Sequence, residues 1–466
     1  MNKNIDTSYL NECSILVLGL GATGLSVARY LSRLGVAFEL ADENIDEQRQ
    51  AELEQMFLAS VVHRKFSAGL FKGFDLIVAS PGIPQSHPDL VAARTHGVQI
   101  VGDIDLFLGQ TDSQVIAVTG SNGKSTVVAW LGEVLGQSDL RSAIAGNIGT
   151  PVLELTDQDL DVVVLELSSF QLETLQQMDS LSSSVLNVSE DHLDRYASFD
   201  DYAKAKRKIY QGTSFVVANA NDSQTWPCTD DEPVSNDIDA LFSLSMSNVG
   251  DTDVDAGTGE STFHYSVAMH DEQEWLFAGA EPVFPVADLK VAGRHNVENA
   301  LAVIALLKPL ELPLSLIRQG LASFTGLAHR TELVSEISGV RWYNDSKGTN
   351  VDACAKAISG MNAPVVLIAG GLGKDADFTQ LRTPVANHCK ALVLIGRDAA
   401  VLEAALADIV RVYRANSMRE AVTAAHKCAV SGDVVVLSPA CASFDMFDSF
   451  EHRGNVFADE VRRLAA

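Results

Sequence analysis

Basic residues are scarce in this chain. Lys and Arg number 34 against 61 Asp and Glu, for a formal net charge of −27. A surface that acidic repels phosphate backbones and anionic lipid, so nucleic acid and membrane surfaces are not expected partners. Any nucleotide must be held in a local pocket with its own cations. Residues 209–289 contain neither Lys nor Arg. Within that acidic segment, 222–274 is expected to form loops and edge strands on a solvated surface, or an insertion. No Cys-x-x-Cys pair occurs among Cys13, Cys228, Cys354, Cys389, Cys428 and Cys441. That scatter argues against a zinc ribbon or a disulfide framework and suits a reducing compartment. No apolar run approaches the ~20 residues of a membrane span, and the polar segment 1–13 has no apolar signal core. The expectation is a soluble, cytoplasmic monomer without a membrane span.

What is present is the material of several cores. With 466 residues, 47% of them hydrophobic, the chain has room for about two to four domains. Short β-branched runs alternate with amphipathic stretches, the pattern of parallel α/β domains. A first series of expected strands comprises 14–18, 36–40, 75–79 and 98–101. A second comprises 115–119, 162–167, 184–187 and 215–218, and a third 365–370, 391–395, 412–415 and 433–437. The expected class is therefore α/β in three domains. Residues 1–103 would be Rossmann-like, 104–326 a central P-loop ATPase-like parallel sheet, and 327–466 a second Rossmann-like unit.

The strongest chemical signal is Gly120-Ser121-Asn122-Gly123-Lys124-Ser125-Thr126, set between an apolar strand and a helix. Glycines let backbone N–H groups turn inward on phosphate oxygens, and the helix N-terminus adds its positive end. Lys124 is placed to neutralise phosphate charge, and Ser125 or Thr126 to offer a hydroxyl to Mg²⁺. Val118 stands where the usual motif has its first glycine, so this is a shorter variant. The next strand is interrupted near its carboxyl end by Glu166, a position suited to binding Mg²⁺ beside a phosphate loop. After the third strand, Glu190, Asp191, His192 and Asp194 crowd into five residues. Together they suggest a second cation.

Gly19-Leu-Gly-Ala-Thr-Gly24 competes with this signal. It is a full Gly-x-Gly-x-x-Gly after a strand, and Asp42 follows the next strand. Alone it predicts a dinucleotide cofactor. The first α/β series, however, ends within about 100 residues and leaves little room for both mononucleotide halves. Ser80-Pro-Gly82-Ile83 reads as a turn or as a further phosphate-side loop.

In order along the chain, Gly120–Thr126, Glu166 with Ser168–Glu173, Asp191-His192, Gly293–Asn299, His329-Arg330, Asn344–Asn350 and Ser438–Ser443 resemble the Mur ligase family. Within it, the pattern is most similar to members that add D-glutamate to UDP-N-acetylmuramoyl-L-alanine in peptidoglycan precursor synthesis. The resemblance implies an ATP-dependent amide ligase working through an acyl phosphate, with two Mg²⁺ ions. It implies that Lys124 and Ser125 hold phosphates and the first Mg²⁺, with Glu166 as its ligand and His192 as ligand to the second. Asn299 and Arg330 would contact adenine and phosphate, and Asp345 the ribose. The first domain would hold the UDP part of the substrate through Gly21, Ala22, Thr23, Gly24, Asp42, Ser80 and Gly82, joined by Asn147. In the third domain Lys347 would serve catalysis, while Thr349, Lys374 and Ser443 would meet the carboxylates of D-glutamate and Phe450 would order the site. Gly348, where many relatives have Ala, departs from the pattern and is expected to loosen its loop. The Lys-rich stretch 202–210 reads plainly as a solvated helix face, but the family has a carbamylated lysine four residues before a Tyr, and Lys206 matches it. Three alternatives stay open: a relative with another acceptor, such as an L-alanine-adding ligase or a folylpolyglutamate synthase; a non-catalytic nucleotide-binding scaffold; and an NAD-binding module.

Overall fold

A computed structural model describes residues 5, 7–57, 61–191, 195–227, 238–244, 262–374 and 376–464. It contains three sheets. The first has five parallel strands, β1 (Ile15–Leu18), β2 (Glu39–Ala41), β3 (Val62–His63), β4 (Leu76–Ala79) and β5 (Gln99–Val101), in the order β3-β2-β1-β4-β5. The order in which strands are added reverses between β1 and β4, which opens a crevice at their carboxyl ends. β1 and β4 are buried along their whole length, as strands covered on both faces must be.

The second sheet has nine strands. They are β6 (Gln114–Thr119), β7 (Ser142–Gly146), β8 (Val162–Glu166), β9 (Ser182–Val185), β10 (Val216–Asn219), β11 (Ala240–Ser243), β12 (Phe263–His270), β13 (Gln273–Ala278) and β14 (Glu281–Pro285). The order is β14-β13-β12-β11-β10-β9-β6-β8-β7, parallel from β7 to β12 and antiparallel through β13 and β14. The carboxyl ends of β9, β6 and β8 therefore lie side by side. Helices Lys124–Leu135 and Arg294–Leu306 cover one face, sealing a core that includes Trp130, Val134, Leu301 and Ile304.

The third sheet has six strands, β15 (Glu332–Ile337), β16 (Val340–Asn344), β17 (Val365–Gly370), β18 (Cys389–Ile395), β19 (Arg411–Arg414) and β20 (Val434–Leu437). Their order is β15-β16-β20-β17-β18-β19, parallel except for the β15–β16 hairpin.

The mixed α/β class with parallel sheets is as expected. Two local expectations are corrected. β9 lies two residues before the expected 184–187, because Ser182, Ser183 and Ser184 mask it in the sequence. Buried partners make two of those serines fit: Ser182 Oγ donates to Leu306 O at 2.8 Å, and Ser183 Oγ accepts from Thr213 Oγ1 at 3.0 Å, while Ser184 Oγ is buried with no hydrogen-bond partner among the described residues. The 222–274 segment is more than loops and edge strands, since β11 is buried at every position between β10 and β12. Residues 228–237 and 245–261 lie outside the described residues.

Candidate functional site

The β6 strand delivers the phosphate-type loop, and Gly123 caps the helix that begins at Lys124. The loop is braced from β9: Asn187 Oδ1 accepts from Asn122 N at 2.8 Å, and Asn187 O accepts from Ser121 N at 2.9 Å. Ser121 Oγ lies 3.0 Å from the Tyr202 hydroxyl. Lys124 Nζ donates to the carbonyls of Gly120 and Ser121 at 2.7 and 2.9 Å, folding its amine over the loop it would use to hold phosphate. Burial pushes the Lys124 ammonium down to about 8, with Glu166 opposing and Arg330 assisting. Ser125 and Thr126 are both buried, and Ser125 Oγ accepts from Arg330 Nη2 at 2.6 Å.

Glu166 ends β8, the neighbour of β6, and is 1% exposed. Its Oε1 accepts from Asn147 Nδ2 at 2.8 Å, and its backbone carbonyl accepts from Asn147 N at 2.8 Å. Its Oε2 is buried and has no hydrogen-bond partner among the described residues. A buried carboxylate oxygen left unpaired beside phosphate-binding groups is the donor a hard divalent cation requires. Among the described residues no three His, Cys, Asp or Glu side chains form a ready-made metal group. His192 and Asp194 lie outside the described residues, while Asp191 lies close enough to raise the Lys124 and Lys206 pKa values.

Lys206 corrects the plain reading of its stretch as a solvated face. Lys204 is exposed and pairs with Asp200 across one helical turn, but Lys206 is 2% exposed. Its Nζ donates to Gly120 O at 2.9 Å and lies 4.5 Å over the Tyr202 ring. Burial first, and Lys124 second, hold its amine well below the usual lysine range.

At the β1–β4 crevice, the first glycine-rich turn and the Ser80 loop meet. Ser80 Oγ donates to Gly19 O at 2.7 Å, and Asp42 Oδ2 accepts from Leu20 N at 2.7 Å. Asp42 thus braces the turn. A Cβ on Gly24 would fall 1.8 Å from Gly19 O, so the helix of Ala22 and Thr23 approaches β1 only because this residue is glycine. Gly82 leaves open space around it, and its carbonyl accepts from Arg195 Nη1 at 3.4 Å. Arg195 was not singled out from the sequence. It also reaches Ile83 O, pairs with Glu173 at 2.8 Å and stacks 4.1 Å from the Phe170 ring.

Loops from the neighbouring strands β16, β20 and β17 converge in the third sheet. Lys347 Nζ lies 3.9 Å over the Phe450 ring, and burial lowers its pKa. Leu372 and Ala442 exchange backbone hydrogen bonds at 2.9 Å, joining the Lys374 loop to the Ser443 loop. Ser443 is buried, whereas Thr349 and Lys374 are exposed. Asp345 is buried with both oxygens engaged: Oδ1 accepts from Thr331 N at 3.1 Å and Oδ2 from Ser438 Oγ at 2.7 Å. Its carboxyl is pushed up to about 6, chiefly by burial. Gly348 packs tightly where a looser loop was expected: a Cβ there would lie 2.5 Å from Asp345 Oδ2 and 2.8 Å from Ser438 Oγ.

The second and third sheets meet across this site. Besides the Arg330–Ser125 bond, Asp352 Oδ2 accepts from Asn122 Nδ2 at 2.7 Å and from Ser189 Oγ at 2.9 Å. Nothing in the sequence marked Asp352, which sits in the first turn of helix Val351–Ser359. Between the phosphate-type loop, helix Arg294–Leu306 and that helix lies a cavity lined by Gly123, Asn299, Asp345 and Lys347. The structure thus gathers Lys124, Ser125, Glu166, Lys206, Arg330 and Lys347 around one centre. The glycine turn of the first sheet lies apart from these residues, and Arg195 ties the Ser80–Ile83 loop beside it to Glu173 of the second unit.

Comparisons with known proteins agree along the chain. Residues 13–102 match the Mur ligase MurD-like N-terminal domain, 118–307 the Mur ligase middle domain, and 329–441 the Mur ligase glutamate ligase domain. A UDP-N-acetylmuramoylalanine–D-glutamate ligase of Nitrosococcus oceani is 42% identical over 460 residues, 96% of each chain. The ligase of the same name from Pseudomonas aeruginosa is 42% identical, covering 97% of this chain and 98% of its own. Among solved structures, the UDP-N-acetylmuramate-alanine ligase of Thermotoga maritima is similar in fold, with a TM-score of 0.56 at 21% identity over 97% of this chain and all of the other.

Proposed function

The chain belongs to the Mur ligase family, and from that premise we propose that it adds D-glutamate to UDP-N-acetylmuramoyl-L-alanine at the expense of ATP. It is an ATP-dependent amide-forming ligase. The observation that carries the chemistry is Glu166, buried beside Lys124 with one carboxylate oxygen left without a hydrogen-bond partner among the described residues.

A carboxylate must attack a phosphoryl group, so two anions have to meet. Lys124, Arg330 and the backbone N–H groups of the loop offset that repulsion electrostatically. Ser125 and Glu166 would hold one Mg²⁺, and His192 with a carbamylated Lys206 a second; the ions supply charge neutralisation at phosphate oxygens. The terminal carboxylate of the UDP-linked substrate takes the γ-phosphoryl group, releasing ADP. The amine of D-glutamate then attacks the acyl carbon, loses a proton, and expels phosphate as the amide forms. Lys347, held on the Phe450 ring, would orient the acceptor with Thr349, Lys374 and Ser443. Asn299, Arg330 and Asp345 would hold ATP. Gly21, Ala22, Thr23, Gly24, Asp42, Ser80 and Gly82 would hold the UDP group at the β1–β4 crevice, where a diphosphate gains from the helix N-terminus, and Asn147 would meet the substrate beside Glu166.

We assign residues 1–103, 104–326 and 327–466 to the UDP-substrate, ATP and amino-acid domains, acting as a cytoplasmic monomer. No helix among the described residues is long and apolar enough to cross a membrane. Phosphate release measured with UDP-N-acetylmuramoyl-L-alanine and each amino acid in turn tests the reading. Release that depends on D-glutamate is expected; turnover with L-alanine instead, or without D-glutamate, would overturn it.

A further inference from the structure

We infer that Glu298 selects the base of the nucleotide by accepting a hydrogen bond from the 6-amino group of adenine. The inference rests on reading Gly120–Thr126 as the triphosphate loop and extends it to the far end of the same cavity. Gly123 and Thr126 mark the phosphate end of that cavity, and Asp345 and Lys347 one side. What remains is a slot between helix Arg294–Leu306, which carries Asn296, Glu298 and Asn299, and helix Val351–Ser359, which presents Ala353 and Ala357. Small apolar side chains facing amides suit the flat face of a purine, and its edge must then meet a polar group.

Most polar neighbours in the slot are already committed. Asn122 Nδ2 donates to Asp352, Lys356 Nζ pairs with Asp352 at 3.0 Å, and Asn299 Nδ2 donates to Asn296 Oδ1 at 3.1 Å. His295 is uncommitted at Nδ1, which is buried with no hydrogen-bond partner among the described residues, but that atom packs against Gly293 and Gly360, where a Cβ would lie 2.8 and 3.3 Å from it; burial and Lys356 lower the His295 pKa to about 4. Glu298 differs. Its Oε1 accepts from Asn219 Nδ2 at 3.1 Å, and Asn219 is itself fixed by donating to Leu186 O at 3.1 Å. That contact orients the carboxyl, while Oε2 takes no hydrogen bond from any described residue. An oriented acceptor in a partly buried slot rewards a ligand that brings a donor and penalises one that leaves it unpaired. Among purines, the 6-amino group of adenine is such a donor, and purine riboside lacks it.

The test compares ATP with purine riboside 5′-triphosphate in D-glutamate-dependent phosphate release by the full chain. The wild type should favour ATP at least about ten-fold in kcat/KM. Glu298→Met should bring that ratio to about one, and Glu298→Gln, which keeps a carbonyl acceptor, should fall between. KM values for the UDP-linked substrate and D-glutamate should not move. Equal use of the two nucleotides by the wild type, or an unchanged preference in Glu298→Met, overturns the inference and leaves the ligase reading standing. If Glu298→Met does not fold, an unchanged preference in Glu298→Gln together with normal KM for ATP overturns it. Absence of any turnover with ATP overturns the ligase reading itself.

Discussion

Lys124 and Lys206 share one acceptor: both amines donate to the carbonyl oxygen of Gly120, at 2.7 and 2.9 Å. Two cations cannot sit together on one carbonyl in a buried place at low cost, so burial and the neighbouring Lys124 ammonium hold the Lys206 amine well below the usual lysine range and favour its neutral form. A neutral amine is the form that attacks CO₂, and carbamylation would replace a latent cation with a carboxylate beside Lys124.

The first prediction follows. Protein equilibrated with carbon-13 bicarbonate should show a carbamate carbon resonance that Lys206→Arg lacks. Lys206→Ala should lose at least ~10²-fold in kcat, the scale of removing a charged group aimed at the transition state. A wild-type spectrum without the resonance, with activity indifferent to CO₂ depletion, would sink the idea.

Lys124 carries a pH signature. Its pKa is lowered to about 8 from an ordinary 10.5, so the nucleotide-free loop loses its cation as pH rises through about 8, and kcat/KM for ATP should fall about ten-fold per unit beyond it. Bound phosphates favour the charged form, so kcat should hold to higher pH than kcat/KM. A kcat/KM profile flat to about pH 9.5 contradicts this.

Asp352 ties the third sheet to the phosphate loop through Asn122 and Ser189. Removing it in Asp352→Ala leaves both donors without that acceptor and should shift the domains toward a more open arrangement. KM for ATP should rise about ten-fold, the scale of one or two charge-assisted hydrogen bonds. X-ray scattering should give a larger radius of gyration than for the wild type. Identical scattering and kinetics would remove Asp352 from the closure.

Arg195 joins the second sheet to the Ser80–Ile83 loop, and its side chain is only 12% exposed beside Glu173 at 13%. Arg195→Ala leaves that carboxylate without its partner and frees the loop. KM for the UDP-linked substrate should rise by about ten- to a hundred-fold while KM for ATP changes little. Arg195→Lys should restore only part, because an ammonium lacks the planar fork that reaches Glu173 and the two carbonyls together. An effect on ATP alone would refute the assignment.

Much of the architecture was legible locally. β17 runs from Val365 to Gly370 as the apolar run predicts, and β6 and β8 differ from expectation by single residues. Buried parallel strands announce themselves as unbroken β-branched runs. β9 was displaced because serines that only the tertiary structure buries look like loop in the sequence. β11 was missed because its four residues, Ala240–Ser243, lie in an acidic stretch and are buried only by β10 and β12. The β15–β16 hairpin also went unread, since β15 is mostly half-buried and lacks a clean alternation.

The site divides along the same line. Sequence alone determined the chemistry on offer: a glycine-rich loop with Lys124 before a helix, a carboxylate closing the next strand, and a second glycine turn too cramped for a whole dinucleotide domain. Those are short-range patterns, set by backbone sterics and by which side chains a strand end presents. Only the tertiary structure decided which lysine of a basic stretch is buried, that no described residue hydrogen-bonds Glu166 Oε2, and that Arg195 reaches the Ser80–Ile83 loop, Asp352 the phosphate-type loop and Glu298 the cavity beside it. Burial, and with it the cost of charge, depends on what chain segments distant in sequence bring against a residue, and neighbouring letters do not carry that information.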